Sequence, residues 1–425
     1  MAETCTRITT PSGVEILIEP LSHVRSCSLG FWVRRGSCHE HPQEEGLAHF
    51  IEHTVFKGTA AFPDPETMAA ATDRLGGSVD AFTGKENACF YGKVLREKLP
   101  ELVAILGDLV TSPRFEEAEL GRERNVILEE IAQSEDQPDD WVSELFYSNF
   151  WPESRLAHSI LGRPEQVSNY GSGDARAFFD HTYRAPNLLI AAAGDIDHDH
   201  LMDLLAPVLD KLPTGTSPSP NPWSGAAPRS FILNQSRKGL QQANLILGFP
   251  ACGHAHPDRT ALNLLSQILG GGMSSRLFME LREKQGLCYQ VGSYMTHYHG
   301  TGALQVMASC AADKAPELVR RSIAECRRLA EGSTTEDELE RAKLQTRTSL
   351  VFSQESTSAR MFTLAHQALH MDRVRSLDEQ IAEIDAVDLD QLNRVAREYL
   401  RPEALGVSAL GTRKGKEIRE QDLVG

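Results

Sequence analysis

The chain has 425 residues, 41% hydrophobic and 24% charged, with a formal net charge of −16. That length predicts two or more domains. The acidity argues against nucleic acid as a partner, and no apolar run approaches the roughly 20 residues of a membrane span. The eight cysteines stand singly with no Cys-x-x-Cys among them. Met1-Ala-Glu-Thr-Cys5 carries no basic or apolar leader pattern. Together these predict reduced thiols in a cytoplasmic protein.

In chain order, residues 6–19 predict a β-hairpin turning at Pro11-Ser-Gly13, and Ser26–Val33 a third strand. Gly46-Leu-Ala-His49-Phe-Ile-Glu52-His53-Thr-Val-Phe-Lys-Gly58 predicts a helix. Leu47, Phe50, Ile51 and Val55 give it an apolar surface. His49, Glu52 and His53 stand at i, i+3 and i+4 and share one side. Two imidazoles one turn apart suit a zinc ion, and a carboxylate beside them suits a general base. The pattern is His-x-x-Glu-His, the reverse of His-Glu-x-x-His.

A second helix is predicted over Pro63–Leu75, stopped by Gly76-Gly77. Next come Ser78–Thr83, a strand over Ala88–Leu95 and an amphipathic helix over Pro100–Val110. A long acidic helix follows from Phe115 to about Gln137. Glu123 and Glu130 lie two turns apart on one face of it. Because Glu129 and Glu130 are adjacent, only one of them faces inward with Glu123, and the spacing favours Glu130 as the third metal ligand. Asn187–Ala193 predicts an apolar strand ending at Gly194-Asp195. Leu212–Pro228, rich in Pro, Gly and Ser, predicts a linker. The domains expected are therefore 1–212 and 230–425, joined by 213–229.

The halves share a repeat. Pro100-Glu-Leu-Val103 returns as Pro316-Glu-Leu-Val319, and Glu119-Leu-x-Arg122 as Glu338-Leu-x-Arg341, an offset of 219 residues in the second case. That offset sets Ile268, Gly271 and Gly272 opposite His49, Glu52 and His53. It sets Ala342 and Ser349 opposite Glu123 and Glu130. The second half is expected to keep the scaffold and lack the metal chemistry.

His49-x-x-Glu52-His53 followed after 76 residues by Glu130 resembles the inverzincin peptidases of the pitrilysin/insulysin type, family M16. So do Asp80-Ala-Phe-Thr83, Tyr183-x-x-Pro186-Asn187 and Leu281-Arg282-Glu-Lys-Gln-Gly286-Leu-Cys-Tyr289. The chain is most similar to the short two-domain bacterial branch, and to the catalytic subunit of the mitochondrial processing peptidase. The resemblance implies an α+β fold of two similar domains, each an antiparallel-rich sheet packed with helices.

It also implies roles. His49, His53 and Glu130 would hold one zinc per chain. Glu52 would be the general base, taking a proton from water and passing it to the leaving amine. Glu123, outside the ligand set, would steady the site. Asp80, Ala81, Phe82 and Thr83 would bind substrate, with strand 86–94 as the sheet edge to which an extended peptide adds. The family more often has Asn where this chain has Asp80. Arg282 and Tyr289 would contact substrate near the scissile bond and help stabilise the oxyanion.

The expected function is zinc-dependent endopeptidase action on extended or presequence-like peptides. The expected assembly is a homodimer with a shared chamber, in which Arg282 and Tyr289 reach the zinc of the partner chain. A non-catalytic scaffold or assisting subunit is the alternative, and the intact ligand set and base argue against it. His366/His370 and the pairs His39/His41, His198/His200, His254/His256 and His297/His299 are expected to be surface histidines. Gly270-Gly271-Gly272 lacks the following Lys-Ser/Thr of a phosphate loop.

Overall fold

A strand that is apolar at every position needs cover on both faces, and Leu188–Gly194 is buried throughout. A computed structural model describes residues 5–215, 227–371 and 373–423 and places this strand inside a sheet. That sheet contains β1 (Thr6–Thr9), β2 (Glu15–Pro20), β3 (Ser26–Val33), β4 (Ser78–Thr83), β5 (Ala88–Leu95) and β6 (Leu188–Gly194), in the order β1-β2-β6-β3-β5-β4. Alternation sorts its side chains. Leu29, Phe31, Phe90, Ile190 and Ala192 enter a core shared with helices Leu47–Val55 and Leu99–Thr111. Trp32, Cys89, Leu189, Ala191 and Ala193 enter another, closed by Met361, Leu364 and Ala365 of helix Thr357–His370.

The second sheet contains β7 (Phe231–Gln235), β8 (Gln242–Ala251), β9 (Cys288–His297), β10 (Gly302–Ala311) and β11 (Gly406–Leu410), in the order β7-β11-β8-β10-β9. Helices Arg259–Gly270, Ala315–Ala330 and Leu389–Tyr399 supply its core on one side. Helix Pro138–Phe150 packs on the other, along β11 and β8. A Cβ on Gly248 would meet the Phe146 ring at 2.1 Å, so glycine makes room for this helix.

Five strands of the first sheet, β2-β6-β3-β5-β4, match the second sheet in order, and β1 is an extra strand at the first sheet's edge. β2 and β6 are parallel, as are β7 and β11, and the remaining pairings are antiparallel. The acidic helices Glu117–Asp136 and Glu336–Ser353 begin 219 residues apart. Pro138 and Thr357, where the covering helices begin, are 219 apart as well. The fold is thus a duplicated α+β fold. Each covering helix lies in the other half of the sequence from the sheet it covers.

The chain divides into two compact units: Met1–Ala132, His158–Pro222 and Phe352–Val374 in one; Gln133–Ala157, Trp223–Val351 and Arg375–Gly425 in the other. A single cut at 213–229 leaves those two exchanged stretches on the opposite side from the unit they join. Residues 216–226 of the expected linker lie outside the described residues. No described helix is long and apolar enough to cross a membrane. All eight cysteines are free, and all but Cys5 are buried.

Three expectations change. Strand 86–94 is not the sheet edge: β5 pairs with β3 on one side and β4 on the other, so β4 is the outer strand. The chain reverses after Thr83 and folds β5 inward against β3, where its apolar residues find cover on both faces. Two His-x-His pairs also enter regular structure. His198 and His200 open helix His198–Lys211, capped by Asp197. His297 ends β9, with its ring nitrogens 2.8 Å from the Cys252 carbonyl and 3.1 Å from Asn263 Oδ1. Finally, His370 is met by Glu86 at 3.6 Å, a carboxylate from a distant stretch of sequence.

Candidate metal centre

The helix Leu47–Val55 is entered through Gly46 at φ 90°, a left-handed conformation that favours glycine. A Cβ there would lie 2.7 Å from Gly162 Cα. Gly46 has no side chain to cap the helix, and Glu40 does so instead. Its carboxylate accepts from Gly46 N at 2.9 Å and Ala48 N at 2.7 Å. Burial pushes the Glu40 carboxyl up to about 8, against the pull of those two bonds. An acceptor at these orphan amides fixes the start of the helix. Phe50, Ile51 and Val55 are buried in the core, which fixes its rotation.

So anchored, the helix brings His49 and His53 to Glu130 of helix Glu117–Asp136. Glu130 Oε2 lies 3.7 Å from His49 Nε2 and 3.5 Å from His53 Nε2. The three ligand atoms lie within 4.8 Å of one another. Tetrahedral ligands at zinc–ligand distances of about 2.0–2.1 Å stand about 3.4 Å apart. The spacing therefore suits a shared ion better than direct hydrogen bonds. Glu129 is exposed and takes no part.

The second carboxylate of that helix does what the sequence spacing suggests. Glu123 Oε2 lies 3.3 Å from His53 Nδ1, and its Oε1 lies 2.9 Å from Lys57 Nζ. Accepting the Nδ1 proton directs the Nε2 lone pair of His53 toward Glu130. Lys57, at i+4 from His53, was not among the residues singled out from sequence. Its spacing four residues beyond His53, in the turn just past the helix end at Val55, was the available signal. Glu40 offered none, because it sits in an irregular loop.

Electrostatics sorts the groups. Burial, with His53 nearby, holds His49 down to about 4. It is neutral at ordinary pH, and its Nδ1 is buried with no hydrogen-bond partner among the described residues. Burial acts on His53 too, but the Glu123 and Glu130 carboxylates outweigh it and push His53 up to about 9. Its proton must leave before Nε2 can bind a metal. Burial raises the Glu123 carboxyl, yet hydrogen bonds with His53 and Lys57 bring it below its ordinary value. The His53 imidazole beside it, with His49, holds Glu130 low. Burial raises Glu52, against the Thr83 hydrogen bond and the nearby His53. Glu52, like Glu123, is a site carboxylate outside the ligand group. Its Oε2 accepts from Thr83 Oγ1 at 2.6 Å.

β4 borders this group. Its burial alternates, with Ser78, Asp80 and Phe82 exposed and Val79, Ala81 and Thr83 half-buried. Asp80 accepts from the Tyr91 hydroxyl at 3.2 Å. Phe82 sits beside Tyr91 and Phe362, with ring centroids 6.2 Å away in each case. Thr83 alone of the four expected substrate residues touches Glu52.

Arg282 and Tyr289 belong to the second unit. Arg282 lies in a π-helical segment, Phe278–Lys284, and Tyr289 near the start of the outer strand β9. The Arg282 guanidinium stands 4.7 Å from the centroids of both the Phe278 and Tyr289 rings, a cation–π sandwich. With Asp139 and Tyr294 the pair lines a cavity of about 370 Å³.

The fold and the site together define a duplicated α+β scaffold with a two-histidine, one-carboxylate group able to hold a metal on one of its two units. Comparison with known proteins narrows it. Residues 15–164 match the family described as insulinase (peptidase family M16), and residues 172–346 match the peptidase M16 inactive domain. An uncharacterized zinc protease of Streptomyces coelicolor is 34% identical, over 97% of this chain and 91% of its own. One from Bacillus subtilis is 34% identical, over 92% and 95%. The crystal structure of a protease from Helicobacter pylori superposes with a TM-score of 0.89 at 22% identity, over 96% of this chain and 99% of its own. A structure from Pseudomonas fluorescens described as a peptidase M16 inactive domain gives 0.89 at 21%, over 96% and 98%. The chain belongs to the M16 family of zinc proteases, in its short two-domain form.

Proposed function

We propose that this chain is a zinc-dependent endopeptidase that cleaves extended peptides, with one zinc per chain held by His49, His53 and Glu130. The observation that carries the reading is the grouping of three ligand atoms within 4.8 Å beside Glu52, a half-buried carboxylate left outside the set. Zinc held there would supply Lewis acidity, making water nucleophilic near neutral pH and polarising a peptide carbonyl. Glu52 takes a proton from the attacking water and delivers it to the leaving amine. Glu123 keeps His53 in the tautomer that offers Nε2. The outer edge of β4 holds the peptide by main-chain hydrogen bonds.

The working site draws on two chains. In a homodimer, Arg282 and Tyr289 of one copy serve the zinc centre of the other, where a guanidinium and a phenol stabilise the developing oxyanion. The support is the family resemblance and the preassembled Arg282–Tyr289 stack. Mixing an Arg282→Ala, Tyr289→Phe chain with a Glu52→Gln chain should restore part of the activity. A verified heterodimer with none restored would sink the shared site. The setting we propose is the cytoplasm, where the free thiols stay reduced.

The main test is metal analysis with cleavage of a quenched-peptide library, Glu52→Gln serving as control. The expected result is one zinc per chain in both proteins. Cleavage by Glu52→Gln should be slower by roughly 100- to 10,000-fold, the range for a lost general base. A zinc-loaded wild type that cleaves nothing in a broad library would overturn the proposal.

A further inference from the structure

We infer that Thr83 is a positioning residue for hydrolysis: its hydroxyl fixes the general base Glu52 and ties it to the strand that borders the peptide. This rests on the peptidase reading above. A hydroxyl has one proton to give. Thr83 Oγ1 lies 2.6 Å from Glu52 Oε2 and 3.5 Å from the Ala48 carbonyl, so the proton goes to Glu52. Among the described residues this is the Glu52 carboxylate's one hydrogen bond. It occupies one carboxylate oxygen and leaves the other to take the proton of water.

The placement follows from β4. Strand alternation turns Val79, Ala81 and Thr83 to the half-buried side, which packs on helix Leu47–Val55. The backbone of Thr83 pairs inward with Ala88 of β5, and the other edge of β4 pairs with no strand among the described residues. A peptide added to that edge would be held in register by the same strand that holds the base. The distance from Glu52 to the attacked carbonyl would then be set through one residue. A misplacement of about 1 Å is enough to cost two orders of magnitude in rate.

The experiment compares Thr83→Val, which keeps the shape and removes the donor, with Thr83→Ser, which keeps the donor. Thr83→Val should lower kcat roughly ten- to hundredfold, the range for a lost hydrogen bond to a charged group. KM should stay within about threefold and zinc per chain unchanged; Thr83→Ser should recover kcat to within about threefold. In a Glu52→Gln background, where peptide is bound and not cut, Thr83→Val should leave peptide affinity unchanged. A kcat within twofold of wild type, a loss residing in KM, or a loss that follows zinc content would each overturn the inference. If Val unfolds the protein, Thr83→Ala measured at full zinc occupancy decides by the same criteria. A wild type that binds zinc and cleaves nothing overturns the peptidase reading itself, which separates the two failures.

Discussion

The first unit gathers His49, His53 and Glu123 where its motif helix meets its acidic helix. At the positions 219 residues later, Ile268, Gly272 and Ala342 line one small pocket in the second unit, of about 20 Å³. That is room for about one water. The acidic helix, the order of five strands and the covering helix are matched in both units; the side chains are not. Where the first unit aims carboxylates at imidazoles, the second links Gln267 to Gln345 at 2.7 Å and clamps Arg276 to Glu338 at 2.8 and 2.9 Å. With its Arg276 hydrogen bonds outweighing burial, Glu338 is held down to about 2, a carboxylate committed to structure. A duplicated scaffold thus separates stability from chemistry. Either unit holds its helices together, and only a few side chains decide whether a metal is bound.

Removing a ligand should break the contrast outright. His49→Ala or Glu130→Ala should abolish stoichiometric zinc by metal analysis and remove cleavage with it. Retention of one zinc per chain in Glu130→Ala would refute the assigned ligand set. Glu123→Gln should act less severely. It keeps the ligands and weakens the hold on His53, so zinc affinity should fall about 10- to 100-fold in a chelator competition.

The pH dependence follows from His53, which is charged in the metal-free protein up to about 9. Zinc binds its neutral form. Below about pH 9 each zinc therefore displaces one proton, and apparent affinity should fall about tenfold per pH unit as pH drops. His49, held down to about 4, adds a second proton only near that pH. Calorimetry at pH 7 in buffers of different ionisation enthalpy should count one proton released. Zero would contradict the charged state of His53.

The smallest effect on metal is expected in the second unit. Ile268→Ala should leave zinc stoichiometry at one per chain and lower stability by about 2–5 kcal/mol, as for a buried apolar truncation. Denaturant unfolding and metal analysis on one preparation would show whether the two properties separate.

Much of this was legible along the chain because it obeys short periods. The 3.6-residue repeat placed His49, Glu52 and His53 together, and the same period separated Glu130 from Glu129. Ser26–Val33 and Ala88–Leu95 were recoverable to the residue from their apolar runs. Lys57 was within reach of the same reasoning. Glu40 was not, since a loop carboxylate six residues ahead of the amide it caps has no periodic signature.

By itself the sequence determined the duplicated α+β fold, the ligand set worth testing and the half of the chain that lacks it. The ligand set resides in local spacing, the duplication in a repeat along the chain, and the α+β fold in the resemblance to the M16 family. Only the tertiary structure decided that β4 rather than the neighbouring strand is the outer strand. It also decided that helices Pro138–Phe150 and Thr357–His370 cover sheets built from the opposite halves, and that Thr83 holds Glu52. Each of these depends on which surfaces meet across 30 to more than 160 residues of chain. Burial of two apolar faces decides such meetings, and no local pattern records them.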